Sequence, residues 1–276
     1  MRIWITGDLH GKRPQRPRGR FDAIICPGDV GSDAAGKHMF AAMRQGTRWY
    51  ELVGKREATR LVRASIADGR KVLEYLDSFG VPVYVVPGNW DWTGDEGSDL
   101  AIERVDSWSR MLRGLRNVRD VDMRSVDVGA VRIVGYGRSC GPELPQYADD
   151  RARYTRGELL ARKRAYARTM RDMATLFARS RAPTILLTHN VPYGTPLDKI
   201  VNPASPRDGR HYGSLIARDL IRKHAPAVAI GGHMHEHHAT HRMGKTIALN
   251  TGFGPRAGAI IEISGKRIWI SLNGRS

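Results

Sequence analysis

At 276 residues with 41% hydrophobic side chains, the chain can bury one substantial core, and a single compact enzyme domain over 1–276 is expected rather than two small ones. No apolar run approaches the ~18 residues of a spanning helix, and Met1-Arg2 leads straight into an apolar strand, so no membrane association is expected and the location expected is cytoplasmic. The charge of +17, from 45 Lys+Arg against 28 Asp+Glu, leaves two readings open: a surface that attracts nucleotides or nucleic acid, or a reflection of base composition or a hot habitat.

Residues 2–6 read as a buried strand that runs into Gly7-Asp8-Leu9-His10-Gly11. In extended backbone, residues i and i+2 point to one side, so Asp8 and His10 emerge together at the strand's carboxyl end. Residues 21–26 form a second short strand, closed by Pro27-Gly28-Asp29. From about Ser32 to Gly80 the pattern turns helical, with Leu61, Ile66, Val72, Leu73, Leu76 and Phe79 near helical spacing and Gly80 as the stop. A third strand over 81–86 leads into Pro87-Gly88-Asn89-Trp90-Asp91. Residues 98–115 are expected to be helical, 126–134 a hairpin around Gly129-Ala130, and 149–179 a long Arg-rich helix with a solvated basic face.

Thr184-Ile185-Leu186-Leu187 then forms a buried strand ending in Thr188-His189-Asn190. The loop from there to Tyr212 is too long for a plain connector and is a candidate substrate lid. A helix over 214–224 precedes the apolar run Ala227-Val228-Ala229-Ile230-Gly231-Gly232, which ends in His233-Met234-His235. Three more strands close the chain, over 246–250, 258–263 and 267–272. Cys26 and Cys140 are too few for a disulfide framework and have no zinc-finger partner; Cys26 ends a strand and reads as core. His237, His238 and His241 read as a solvated hairpin, and His38 and His224 as ordinary surface or helix-end residues.

Five apolar strands therefore each end in polar groups that can ligate a metal: Asp8/His10, Asp29, Asn89, His189 and His233/His235. In open α/β sheets ligands gather beyond the carboxyl ends of strands, so one fold can bring these turns together. Seven groups exceed one tetrahedral ion and suit two ions sharing a carboxylate, an arrangement used in phosphoryl chemistry.

The ordered motifs Asp8-Leu9-His10, Gly28-Asp29, Gly88-Asn89-Trp90-Asp91, His189 and Gly232-His233-Met234-His235 resemble the calcineurin-like metallophosphoesterase superfamily. Thr188 to Thr195, Leu197-Asp198, His211 to Ser214 and His233 to Glu236 are similar to its small, single-domain branch that includes relatives of cyclic-nucleotide phosphodiesterases. The resemblance implies a four-layer α/β/β/α sandwich of two mixed sheets flanked by helices. It implies one divalent ion on Asp8, His10 and His235, a second on Asn89, His189 and His233, and Asp29 between them. The ions implied are Mn, Fe, Zn or Ni. A small phosphoester or nucleotide-like diester would be hydrolysed by in-line attack of a metal-bridging hydroxide, with Asn89 stabilising charge on phosphorus. Asn89, Trp90, Asn190 and His211 are the expected substrate contacts.

One departure matters. The superfamily usually places a histidine after the asparagine, and this chain has Trp90, whose indole donates a hydrogen bond but gives up no proton. His211 is the candidate substitute acid; its other reading is an ordinary loop histidine. A phosphomonoesterase or nuclease is the alternative among enzymes, and a catalytically inactive scaffold with the same fold is the alternative of another class.

Overall fold

The computed structural model describes residues 1–95, 97–137, 139–177, 182–203, 205–265 and 267–273. The first sheet draws on β1 (Arg2–Ile5), β2 (Ala23–Cys26), β3 (Val83–Val85) and β4 (Val118–Asp120). The second draws on β5 (Ser125–Val128), β6 (Val131–Tyr136), β7 (Thr184–Asn190), β8 (Val228–Gly232), β9 (His238–Met243) and β10 (Thr246–Thr251). The last two strands, β11 (Ala259–Ser264) and β12 (Arg267–Leu272), return to the first sheet, whose order is β12-β11-β1-β2-β3-β4; the second runs β5-β6-β7-β8-β10-β9.

Alternation within β1 shows why there are four layers. Ile3 and Ile5 point between the sheets, where they join Ile25, Ile133, Ile185, Leu187 and Ile230 in one buried cluster. Trp4, between them in sequence, points the opposite way and packs with Ile24 and Leu73 under helix α3 (Lys55–Asp77), which follows α1 (Gly36–Gln45) and α2 (Trp49–Val53). The second sheet divides likewise: Val134 and Leu186 turn outward onto Met173, Leu220 and Ile221. Those contacts cover it with α6 (Arg156–Phe177) and α7 (Leu215–His224); α4 (Ser107–Leu112) and α5 (Ala148–Arg151) complete the helices among the described residues. Burial on both faces explains why these strands read as unbroken apolar runs. The expected α/β/β/α sandwich is the fold.

The central strands are parallel within each sheet: Ile3 pairs with Ala23, Ile24 with Val83, Ile133 with Ile185, and Ile185 with Val228. Their carboxyl ends therefore share one edge, and the chain leaves that edge at Gly7-Asp8, Pro27-Gly28-Asp29, Pro87-Gly88-Asn89 and Gly232-His233.

The helical stretch expected over Ser32–Gly80 is three helices, broken where Gly46 (φ 65°) and Gly54 (φ 82°) take backbone conformations that side chains disfavour. Of the helix expected over 98–115 only Ser107–Leu112 forms, because Asp106 caps it by accepting from the Ser109 N–H at 3.0 Å. The helix expected over 149–179 is α5 and α6, separated by residues 152–155; positions 178 and 179 lie outside the described residues. Among the described residues no helix is long and apolar enough to cross a membrane.

Candidate metal centre

The strand-end turns converge. Asp8, His10, Asp29 and His235 place one potential ligand atom each within 4.8 Å of one another; Asp29, His189 and His233 do the same. Asp29 belongs to both groups. Its Oδ2 lies 3.7 Å from His10 Nε2 and 3.5 Å from His189 Nε2, so one carboxylate faces both sides. Asn89 joins the second group through Oδ1, 2.9 Å from His189 Nε2 and 2.8 Å from His233 Nδ1.

Holding these groups costs backbone strain. Asp8 (φ 49°), His10 (φ 46°), Asp29 (φ 53°) and His233 (φ 68°) all sit in the left-handed region, which costs a non-glycine residue about 1–2 kcal/mol. Four such residues among the expected ligands mark the turns as shaped for what their side chains do. Close packing holds them there: a Cβ on Gly232 would lie 1.8 Å from Asp8 Oδ2, and one on Gly88 would lie 2.2 Å from Asp29 Oδ1.

The supporting hydrogen bonds aim the ligand atoms. His189 Nδ1 is 2.9 Å from the Pro27 carbonyl, which fixes the ring with Nε2 toward the centre. Asp8 Oδ1 accepts from the His233 N–H at 2.9 Å, and Thr251 donates to its other oxygen. The Trp90 N–H donates to Asp29 Oδ1 at 2.8 Å, leaving Oδ2 for the centre. Asp91, fully buried, accepts four main-chain N–H bonds: from Asp29 and Gly88 at Oδ2, and from Val30 and Gly31 at Oδ1. It thus ties the turn carrying Asp29 to the turn carrying Asn89.

The electrostatics fit a cation. His10 Nε2 faces His235 Nε2 at 3.2 Å, and His233 Nδ1 faces His189 Nε2 at 3.2 Å. Burial and then the neighbouring His235 hold His10 down to about 4; burial and then His189 hold His233 down to about 3. The His10 and His233 rings are therefore neutral near pH 7 and present lone pairs to shared space. Burial, followed by the charges of Asp91 and Asp8, pushes Asp29 well above the usual carboxylate range. Burial also opposes ionisation of Asp8, but contact with His235 and the nearby His189 outweigh it and hold Asp8 below its ordinary value. Crowded carboxylates and converging imidazole nitrogens are relieved together by positive charge, and mixed N/O donor sets accept divalent transition ions.

The other expected contacts are placed differently. The Trp90 ring lies with its centroid 6.1 Å from that of His10, and its edge would be 3.4 Å from a Cβ placed on Gly36. Asn190 is fully buried, and its amide donates to the Tyr212 carbonyl at 3.0 Å, so it anchors the end of the 191–214 loop and has no face open to a substrate. His211 is partly exposed; its Nδ1 lies 2.8 Å from Oδ1 of Asp198, which is fully buried and also accepts from the N–H groups of Gly194, Thr195 and Gly213. His237 and His238 bond main-chain carbonyls, those of Lys199 and Gly258.

Two features beside the centre had no signal in the sequence. Phe253 is 41% exposed, with its ring centroid 4.3 Å from that of His235 and 5.2 Å from that of His10. The segment Ser139-Cys140 borders the site: Ser139 and Cys140 line a cleft of about 240 Å³ with Asn89 and Trp92.

Comparison with known proteins agrees with this geometry. No curated protein sequence matches the chain significantly. One solved structure aligns with a TM-score of 0.61 at 16% identity, covering 99% of both chains. The protein TT1561 of Thermus thermophilus aligns at 0.50 with 14% identity over 99% of both. A dimetal phosphatase from Danio rerio aligns at 0.50 with 10% identity, over 100% of this chain and 96% of that one. At such identities these likenesses speak for the fold alone. The model of the calcineurin-like phosphoesterase family matches residues 1–237, and the chain belongs to that family of metal-dependent phosphoester hydrolases.

Proposed function

We propose that the chain is a binuclear metal-dependent phosphodiesterase acting on small or nucleotide-like diesters. The observation that carries this reading is the membership of Asp29 in two ligand groups at once, with its Oδ2 3.7 Å from His10 Nε2 and 3.5 Å from His189 Nε2. Asp8, His10 and His235 would hold one ion, Asn89, His189 and His233 the other, with Asp29 between them. When bound, divalent ions such as Mn, Fe, Zn or Ni supply Lewis acidity toward a phosphate ester and the water that attacks it.

The remaining steps belong to the chain. Asn89 is exposed and turns Oδ1 toward the two imidazoles, which leaves its amide nitrogen to donate to a phosphoryl oxygen as charge builds there. Trp90 occupies the position of the usual acid and cannot deliver a proton. His211, oriented through Nδ1 by the buried Asp198, keeps Nε2 available to protonate a leaving alkoxide. Preference for a diester is supported by the clefts on either side of Ser139-Cys140, of about 240 and 440 Å³, which give room for two ester substituents. Treating 1–276 as one domain is supported by β11, which pairs Ala259 with Ile5 and so completes the first sheet from the far end of the sequence.

The test is hydrolysis of bis(p-nitrophenyl) phosphate against p-nitrophenyl phosphate, after metal stripping and return of manganese or nickel. The expected result is metal-dependent cleavage with kcat/KM favouring the diester by about tenfold or more. A reversed preference would establish the phosphomonoesterase alternative, and no turnover with any metal would leave the inactive scaffold.

A further inference from the structure

The 440 Å³ cleft lies on the far side of Ser139-Cys140 from Asn89, against α6, and its volume falls in the range of small-ligand sites. Its lining is rich in tyrosine and arginine. Tyr136 and Tyr212 are buried, and Tyr154 and Tyr166 are half-buried.

Its acidic side chains are already engaged. Asp150 accepts from the Tyr212 hydroxyl and lies 3.4 Å from Arg207. Glu143 accepts from Ser214 Oγ at 2.6 Å and from the Leu215 N–H at 2.8 Å, at the start of α7. Two cations are left over. Arg153 and Arg162 line the cleft from exposed positions, and neither has a carboxylate within ion-pairing distance among the described residues. The Arg162 guanidinium carbon lies over the Tyr154 ring, 4.3 Å from its centroid, and a guanidinium held there can still offer N–H groups to an oxyanion.

Resting on the phosphodiesterase reading of the metal centre, we infer that this cleft receives the part of the substrate remote from the scissile phosphorus, and that this part is a nucleoside carrying a second phosphate. The Tyr212 ring is covered by the Arg207 guanidinium, 4.4 Å from its centroid, and stacked on Tyr147, so the half-buried Tyr154 and Tyr166 are the walls that suit a flat ring with a polar edge. Arg153 and Arg162 suit a dianion at the cleft's mouth.

Two thymidine 5′-(p-nitrophenyl phosphate) substrates test this, one with a free 3′-hydroxyl and one with a 3′-phosphate, assayed on the manganese-loaded protein. The expected kcat/KM advantage of the 3′-phosphate is about tenfold or more, as for gaining charge-assisted hydrogen bonds, and it falls below about twofold in Arg153→Met/Arg162→Met. Arg171→Met, an exposed change on α6, the helix of Arg162, retains the advantage. Calorimetry of thymidine 3′,5′-bisphosphate with metal-stripped protein gives a readout free of turnover, with about tenfold weaker binding expected in the double variant.

If the native protein cleaves bis(p-nitrophenyl) phosphate yet gains nothing from the 3′-phosphate, or if the double variant keeps the gain, the cleft assignment is overturned and the phosphodiesterase reading survives. If nothing is cleaved but bisphosphate binding depends on both arginines, the phosphodiesterase reading fails and the cleft stands as an anion site.

Discussion

Replacing Asp91 with Asn changes one atom of a fully buried side chain, and the structure sets its cost. Each carboxylate oxygen accepts two main-chain N–H bonds, at 2.7–2.8 Å on Oδ2 and 2.9–3.0 Å on Oδ1. Whichever way the amide of Asp91→Asn lies, its NH₂ confronts two N–H donors that it cannot satisfy. Hydrogen bonds to a charged group contribute about 1.5–3 kcal/mol each, so losing two costs roughly 3–6 kcal/mol. Relief of a buried charge, which burial already pushes toward protonation, offsets part of this and leaves about 3–5 kcal/mol. For a domain of this size the loss lowers Tm by roughly 5–9 °C in a melt of metal-free protein followed by tryptophan fluorescence. Either orientation releases N–H groups in or next to the Asp29 turn, those of Asp29 and Gly88 or those of Val30 and Gly31, so manganese affinity should fall as well. A variant melting within about 2 °C of the native protein would refute the claim that Asp91 fastens the Asp29 and Asn89 turns together.

Trp90→His restores a proton donor beside His10; turnover of diesters with alkyl leaving groups should rise about tenfold or more, with little change for p-nitrophenyl esters, and an equal effect on both would show that position 90 does not govern protonation. Gly232→Ala puts a Cβ where Asp8 Oδ2 lies, 1.8 Å away, so metal titration should lose a site while far-ultraviolet circular dichroism stays native. His10 is buried and titrates near 4 when folded, against 6.5 unfolded. Between those values the unfolded chain binds more protons, so its contribution to the stability of metal-free protein is complete above pH 6.5 and is lost as pH falls to 4, by about 3 kcal/mol. Urea midpoints that stay flat from pH 6.5 to 4 would contradict that burial.

The convergence of the candidate ligand turns was legible in the sequence because each follows an apolar strand in a fixed short motif, and parallel strands must deliver such turns to one edge. The apolar runs themselves announced strands buried on both faces. Less legible was whatever depends on distant partners. β4 has three residues, Val118–Asp120, with no pattern of their own, and pairs with β3. The breaks at Gly46 and Gly54 are single glycines inside an otherwise helical stretch. The bonds of Asp91 to Asp29, Val30 and Gly31 span 60–62 positions. The left-handed backbone at Asp8, His10, Asp29 and His233 is invisible in residue type, since none is glycine. The arginine cleft draws on segments within 136–145, 150–169 and 207–216, and only the fold assembles them.

The most direct test of the two-ion reading is metal content. After loading with manganese and gel filtration, inductively coupled plasma mass spectrometry of the native protein should give two ions per chain, and Asp29→Ala one or fewer. One ion per native chain, or two retained by Asp29→Ala, would contradict the shared carboxylate on which the account rests.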